Sequence, residues 1–424
     1  MLPRPYIMRF FQYGTGARCL VRTLTILAAV ALLGFSESNA HAQANPFGNP
    51  PNVVDEVLFV EGATALLSTA QAEGIIASAD KSSIELAQGA ATGTVTLAPI
   101  ASPFPFNEMI PSWNGTAPEG AGFRVWMRTG DGKQFTPWFE AGTWGQVGDA
   151  VTSRIATFPG GQYDIDHLQL QRPASQIEVR IDMVRGKPTG PSPRFQMLAL
   201  AITNSLGDRK LGRQFGAKSS PLSTSVRSLR TTETLNPGFR SQVVDKKAWI
   251  GRICSPASVG MAIDAFGGAT PTQTLAAMLY DPASDLFGIW HRSISGAAQM
   301  GVRGYIRRFR SFDDVRAELA QGHIICASVR FALGEVKNPP RIYRKRGTLG
   351  HIFVIKGFAP GGLVVVNDSA SKDYGRDNLW TQEDLAKAWF DKGGVAYVFT
   401  GPAQQAAKRT TKQKDVKKAG GKKG

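Results

Sequence analysis

The sequence predicts a multidomain chain in which an N-terminal all-β sandwich is followed by an α+β domain. Three observations carry that expectation. From about Pro50 to Ser225, short runs of alternating apolar and polar residues are separated by Gly-rich turns, the pattern of half-buried strands. From Thr203 to Pro237 periodicity fades into Ser, Thr, Arg and Lys, as in a linker. Beyond it, helical spacing and apolar strand runs alternate up to about Gly401. A chain of 424 residues that is 42% hydrophobic is long enough to bury two cores.

Residues 1–42 have the form of an export signal. Arg4, Arg9, Arg18 and Arg22 precede an apolar run from Leu24 to Phe35. Small residues then stand at Ala40 and Ala42, or at Ala42 and Ala44, in the spacing of a cleavage site. The run is short for a bilayer crossing, so no stable membrane span is expected. Export places the mature chain in a periplasmic or extracellular setting.

Within the expected sandwich, residues 50–225, Phe123–Arg128 alternates and is followed by the turn Gly130-Asp131-Gly132 and a second run, Phe135–Glu140. Ile177, Val179, Ile181 and Met183 alternate with Glu178, Arg180 and Asp182, one face dry and the other wet. Phe195–Ile202 is apolar throughout and fits a central strand. Trp113, Trp126, Trp138 and Trp144 form either an aromatic platform for a ligand or, for at least two of them, core packing.

The second domain, residues 226–402, opens on the stretch Ser241–Gly268. Here Cys254 precedes Ser255-Pro256, and Val259, Ala262, Ile263 and Phe266 recur at helical spacing before Gly267-Gly268. Ser255 is the expected cap and Pro256 the expected first helical residue. A cysteine at a helix mouth feels the positive end of the aligned peptide dipoles, which favours a thiolate. A buried structural thiol explains the same position equally well at this point. Further helices are expected over Pro271–Leu279 and near Phe312–Ala320, a buried strand over Ile324–Val329, and a basic loop over Lys337–Arg346. That loop is either a solvated surface or the lining of a cleft. The tail, residues 403–424, holds eight Lys/Arg against Asp415 and is expected to be disordered.

His351 begins an apolar strand that ends in the turn Ala359–Gly362, and Leu363–Asp368 returns. A turn centred on Pro360-Gly361 sets position 358 opposite 363 and position 353 opposite 368. His351 and Asp368 then share a face of the hairpin. A one-residue slip would separate them. A carboxylate that orients an imidazole, which in turn takes a proton from a thiol, is what nucleophilic catalysis requires. His167, His291 and His323 lack such a context. Cys19 leaves with the signal, so the mature chain holds Cys254 and Cys326, and whether they pair stays open.

These residues resemble a family. Arg240-Ser241-Gln242, Cys254-Ser-Pro-Ala-Ser258, Gly350-His351 before a hydrophobic strand, and Val365-Val-Asn-Asp368 are similar to the C39-like branch of papain-fold cysteine peptidases. Ile110-Pro-Ser-Trp113 and Arg172-Pro-Ala174 are similar to the β region that bacterial members carry ahead of that domain. The resemblance implies a papain-like fold for the second domain, with Cys254 as nucleophile, His351 as general base, Asp368 as its orienter and Gln242 as an oxyanion donor. Ile253 stands where a bulky aromatic often precedes the cysteine, and Ser369 where a proline commonly follows the aspartate. The transporter segments of the leader-processing branch are absent, so cleavage of double-glycine leaders is not implied.

The expected function is an exported cysteine peptidase or amidase acting on peptide or peptide-like substrates. Acyl transfer to an amine, as in transglutaminase-like enzymes, uses the same nucleophile and base. A non-catalytic envelope-binding protein is the remaining alternative. No metal-ligand spacing, phosphate loop or dinucleotide fingerprint is present, so no cofactor is expected. The charge of +16 and the basic tail point to an anionic cell-envelope polymer as partner. No base-stacking aromatics accompany the tail lysines, so nucleic acid is not expected.

Overall fold

The computed structural model describes residues 52–68, 71–148, 155–215 and 236–402. The export segment, the basic tail and residues 216–235 of the expected linker lie outside the described residues.

The front region is all β apart from one short helix. It comprises β1 (Val54–Glu61), helix α1 (Gly62–Leu66), β2 (Gln71–Glu73), β3 (Ile75–Ala77), β4 (Ile84–Leu86), β5 (Thr92–Thr96), β6 (Ile100–Thr116), β7 (Ala121–Gly130), β8 (Phe139–Gly145), β9 (Ile155–Phe158), β10 (Gly161–Asp164), β11 (His167–Arg185) and β12 (Arg194–Asn204). Ile177, Val179, Ile181 and Met183 of β11 are fully buried, as period-two alternation requires. All the strands join in one hydrogen-bonded network of 12, because β6 and β11 are long and pair with different neighbours along their lengths. Register shifts between Gln169 and Gln176 let β11 bend as it passes from one set of partners to the next.

Local chemistry explains two further differences. The strand expected over 135–140 begins only at Phe139, and Phe135 makes a lone bridge to Gly130. Pro137 lacks the N–H that a continued ladder needs. The stretch after Asn204 opens on helix α2 (Arg209–Phe215). It starts there because Asp208 Oδ1 accepts from the N–H groups of Lys210 and Leu211, at 2.7 and 3.3 Å.

The second region mixes helices α3 (Cys254–Ala265), α4 (Thr272–Leu279), α5 (Trp290–Gln299), α6 (Phe312–Ala320) and α7 (Gln382–Ala388) with a six-stranded sheet. Its strands are β13 (Arg303–Arg308), β14 (Ile324–Phe331), β15 (Thr348–Ala359), β16 (Leu363–Asn367), β17 (Asn378–Trp380) and β18 (Val395–Gly401), in the order β13-β18-β14-β15-β16-β17. Ser311 caps α6 and Thr381 caps α7, each accepting from the backbone N–H three residues on. Every residue of α3 from Ser255 to Ile263 is buried, so this helix is covered on all sides rather than amphipathic.

β13 is an edge strand whose outward backbone groups would otherwise face solvent. Side chains of β6 satisfy them. Asn114 donates from Nδ2 to the Gly304 carbonyl at 2.6 Å and accepts the Gly304 N–H at 2.9 Å. Ser112 Oγ accepts the Ile306 N–H at 3.1 Å. Around this seam, Arg308 pairs with Glu108 at 2.6 Å, Arg310 with Asp55 at 2.6 Å, and Trp113 stacks on His291 at 4.6 Å. Asp166, from the β10–β11 turn, accepts the Trp290 N–H at the start of α5 at 2.9 Å. One apolar cluster runs across both regions, from Trp113 and Leu198 to Val259 and Ile306.

Of the four front-region tryptophans, Trp113 and Trp144 are core. Trp126 donates to Asp182 at 2.7 Å, and Trp138 lies between the guanidinium groups of Arg128 and Arg180, 4.9 and 5.8 Å from its centroid.

Candidate active site

The site assembles where the mouth of α3 meets the middle of β15. Ser258, one turn beyond Cys254, donates to the Ile352 carbonyl at 3.1 Å and so ties the helix to the residue after His351. Cys254 begins α3 itself, with Ile253 in the cap position and no side-chain cap. This corrects the expected capping by Ser255. That hydroxyl is buried and instead shares hydrogen bonds with Ser293 Oγ at 2.8 Å and Tyr397 OH at 3.0 Å. Pro256 accordingly falls inside the first turn, where its missing N–H still costs no helix bond.

The hairpin that joins His351 to Asp368 differs from the expected one near its turn. Pro360–Gly362 forms a 3-10 turn between paired Ala359 and Leu363, so Phe358 faces Val364 and not Leu363. Gly361 and Gly362 both adopt positive φ, at 77° and 76°, which L-residues with side chains resist. A register shift between Ile355 and Gly357 absorbs the difference, and Val354 faces Asn367. His351 and Asp368 therefore meet: Nε2 and Oδ1 are 2.7 Å apart, both groups buried.

Asp368 is held on every side. Its Oδ1 also accepts the Ala370 N–H at 2.9 Å, and its Oδ2 accepts the Tyr343 hydroxyl at 2.6 Å. Its own N–H donates to the Gly375 carbonyl at 2.8 Å. Burial works against its charge, but the His351 charge and these donors prevail and hold its carboxyl below the usual carboxylate range. Burial likewise opposes an imidazolium, yet Asp368 beside it and the neighbouring sulfur raise His351 to about 10. Cys254 is partly exposed and hydrogen-bonded to His351. Because Nε2 faces Asp368, Nδ1 is the nitrogen left for the sulfur. Burial would raise this thiol, but the hydrogen bond and charge of His351, together with the backbone N–H groups of Ile352 and Ser255, set it below its ordinary value.

Cys254 and Cys326 are both free thiols. Cys326 is fully buried in β14, points its Sγ at the Ser258 carbonyl 3.8 Å away, and is pushed up by burial alone.

Gln242 lies on the entry segment. Asn367 Nδ2 donates to the carbonyls of Pro237 and Gly238, and Arg240 grips Asp264 with two hydrogen bonds at 2.6 and 2.7 Å. The Gln242 N–H donates to the carbonyl of Ser369, next to Asp368, at 2.9 Å. Its side chain is buried, and Oε1 makes no hydrogen bond among the described residues. Thus Cys254, His351 and Asp368 form one connected chain, and Gln242 joins it through the backbone beside Asp368.

Tyr343 is the site residue that sequence reasoning missed. It lies inside the expected basic loop, on a 3-10 turn (Arg341–Tyr343) introduced by Pro339-Pro340. A lone aromatic in a run of cations was the available signal. The remaining histidines serve elsewhere: His167 bonds Glu108 at 3.0 Å, His323 bonds Glu318 at 2.5 Å, and His291 is core. Among the described residues no group of His, Cys, Asp and Glu is arranged to hold a metal ion, and no helix is long and apolar enough to cross a membrane.

Fold and site together define a protein with an all-β front region fused to an α+β domain that carries a cysteine paired to a buried histidine. Residues 235–397 match the model of the Peptidase_C39 like family, and residues 52–203 match that of the Peptidase C39 N-terminal domain. The chain belongs to the C39-like peptidase family. No curated protein matches it. Among solved structures it is similar to that of infectious bursal disease virus Gx strain, at 9% identity over 37% of this chain and 33% of that one, with a TM-score of 0.22. The Gt strain of the same virus gives 12% identity, the same shares and a TM-score of 0.21. The enzymatically active domain of bacteriophage CBA120 tailspike protein 4 gives 11% identity over 38% of this chain and 20% of that one, with a TM-score of 0.16. The chain thus spans about a third of the first two and a fifth of the last, and scores this low carry no common fold.

Proposed function

We propose that this protein is an exported cysteine peptidase or amidase, built on a papain-like domain, that hydrolyses peptide-like bonds. The observation that carries the reading is the unbroken chain from the partly exposed Cys254 sulfur through His351 to Asp368 and Tyr343. In this mechanism the Cys254 thiolate attacks the scissile carbonyl carbon. The negative charge moves to the former carbonyl oxygen, where the Cys254 backbone N–H and the Gln242 amide donate to it. His351 passes its proton to the departing amine as the C–N bond breaks, leaving an acyl-enzyme. The neutral imidazole then takes a proton from water, whose oxygen attacks the thioester and frees the acid and Cys254. Asp368 stabilises the imidazolium throughout and keeps Nδ1 turned to the sulfur.

The test is incubation with a peptide library and with purified peptidoglycan, followed by mass spectrometry of the products. Hydrolysis products that vanish in Cys254→Ala are expected. Products carrying an amine acceptor in place of water would identify acyl transfer instead, and identical product sets from both proteins would refute catalysis.

A further inference from the structure

The connection between β14 and β15 holds Lys337, Arg341, Arg344, Lys345 and Arg346 and contains no acidic residue between positions 337 and 347. A freely solvated loop would be expected to hang from its ends, but this one is fastened along its length. At its start, the buried carboxylate of Asp384 accepts the N–H groups of Lys337 and Asn338, at 2.8 and 3.0 Å. In its middle, Tyr343 plunges inward to Asp368. Beside it, the Arg341 guanidinium lies 3.9 Å over the ring of Tyr374, which belongs to the segment that follows Asp368. Lys337 is paired with Glu383. By contrast, Arg344, Lys345 and Arg346 are exposed and form no ion pair among the described residues. They come directly after the one loop residue that touches the catalytic aspartate. The Tyr343 ring lies 6.2 Å from the imidazole of His351, and the Arg346 N–H donates to the Tyr343 carbonyl at 3.1 Å. The residue that anchors the loop in the site is thus directly continuous with its exposed cations.

Unpaired cations on a fixed wall are an arrangement that a substrate, and not the protein, completes. We propose that the 337–347 connection is the specificity wall of the cleft, and that Arg344, Lys345 and Arg346 select peptides carrying carboxylates near the scissile bond. This rests on the reading of Cys254 as the nucleophile. Carboxylates are favoured over polyphosphate or nucleic acid because each of the two guanidinium groups can take a separate side-chain carboxylate through forked hydrogen bonds. A diffuse polyanion would instead engage any basic surface, the tail included.

Protection of Cys254 from iodoacetamide tests the idea at the site itself, so binding to the tail does not register. Full-length protein is alkylated alone, with a glutamate-rich peptide, with its glutamine counterpart, and with polyphosphate, and Cys254 modification is followed by mass spectrometry. The glutamate peptide should slow alkylation about tenfold, the scale of one or two charge-assisted hydrogen bonds. The glutamine peptide should give little protection. In the triple variant Arg344→Ala, Lys345→Ala, Arg346→Ala the glutamate peptide should no longer slow alkylation relative to that variant alone. Equal protection by both peptides, protection by polyphosphate matching that of glutamate, or protection retained in the triple variant would each overturn the proposal. The rate without peptide reports separately on the nucleophile. A Cys254 that fails to react removes the reading on which the proposal rests, whereas a reactive Cys254 without selective protection removes the proposal alone.

Discussion

The hydroxyl of Tyr343 donates at 2.6 Å to Oδ2 of Asp368, the oxygen that His351 leaves free. A carboxylate gripped at both oxygens cannot rotate out of the plane in which it meets the imidazole. The aspartate is thereby set by a residue from a surface loop as well as by its own strand. Tyr343→Phe should keep the fold, since the ring still packs against Phe331 and Trp380. A hydrogen bond to a charged group contributes about 1.5–3 kcal/mol, so kcat should fall roughly tenfold or more with KM little changed. A purely structural role would instead lower the melting temperature and leave kcat intact.

Cys254 should be alkylated by iodoacetamide at neutral pH, while Cys326 stays unmodified in the native protein. The sign follows from the partners. His351, raised to about 10, is protonated across the neutral range and stabilises the thiolate there. The ion pair forms as pH rises through the lowered Cys254 value and dissolves as pH rises through that of His351. In His351→Ala the reaction should move up into the ordinary thiol range or above, because burial then acts on the sulfur without the imidazolium. A wild-type profile that already rises only in that range would rule out the pair.

Gly375 offers a test of the aspartate's backbone. A Cβ built there would lie 1.9 Å from the Asp368 carbonyl oxygen and 2.6 Å from that of Ser371. Backbone atoms cannot yield as a flexible side chain does, so Gly375→Ala should displace Asp368 and abolish most activity while Cys254 stays labelable. Full activity in this variant would mean that the Asp368 backbone has more freedom than its contacts imply.

Asp166 should make stability pH-dependent in the direction opposite to an ion-paired acid. Burial, partly offset by the Trp290 N–H, raises its carboxyl to about 7. A raised acid favours the folded state while protonated, and that contribution is lost as pH climbs from the usual carboxylate range through about 7. Asp166→Asn keeps an acceptor for Trp290 and carries no charge. It should match the wild type only below the usual carboxylate range, near about pH 3.5, and melt at a higher temperature near about pH 8. A lower melting temperature at both values would show that the charge is needed.

Much of the candidate site was legible because its members sit where local rules apply. Cys254 stands before a run at helical spacing, and Pro360-Gly361-Gly362 can only be a turn, which folds His351 back toward Asp368. The register near that turn was misjudged by one position because a bulge leaves no mark in an apolar run such as Val354–Gly357. Tyr343 was illegible for a different reason. A tyrosine among arginines reads as surface, and its burial depends on Asp368, 25 residues away. Nothing local in the sequence ties the polar residues Ser112 and Asn114 to β13. Their partners, Gly304 and Ile306, are nearly two hundred residues distant, at 190 and 194.

That last contact bears on how such a protein is inherited and made. Because Ser112 and Asn114 hydrogen-bond the backbone of Gly304 and Ile306, the two halves have complementary surfaces and not merely adjacent positions. The C39-like half is not a cassette that can be moved onto another front end. A replacement partner would have to reproduce one donor and two acceptors on alternate residues of one strand. The front half is also synthesised first, so the finished edge is waiting when the later strands emerge. In such a chain the order of the genes' segments is itself part of the folding instruction, and a circularly permuted version should fold more slowly even if it reaches the same end state.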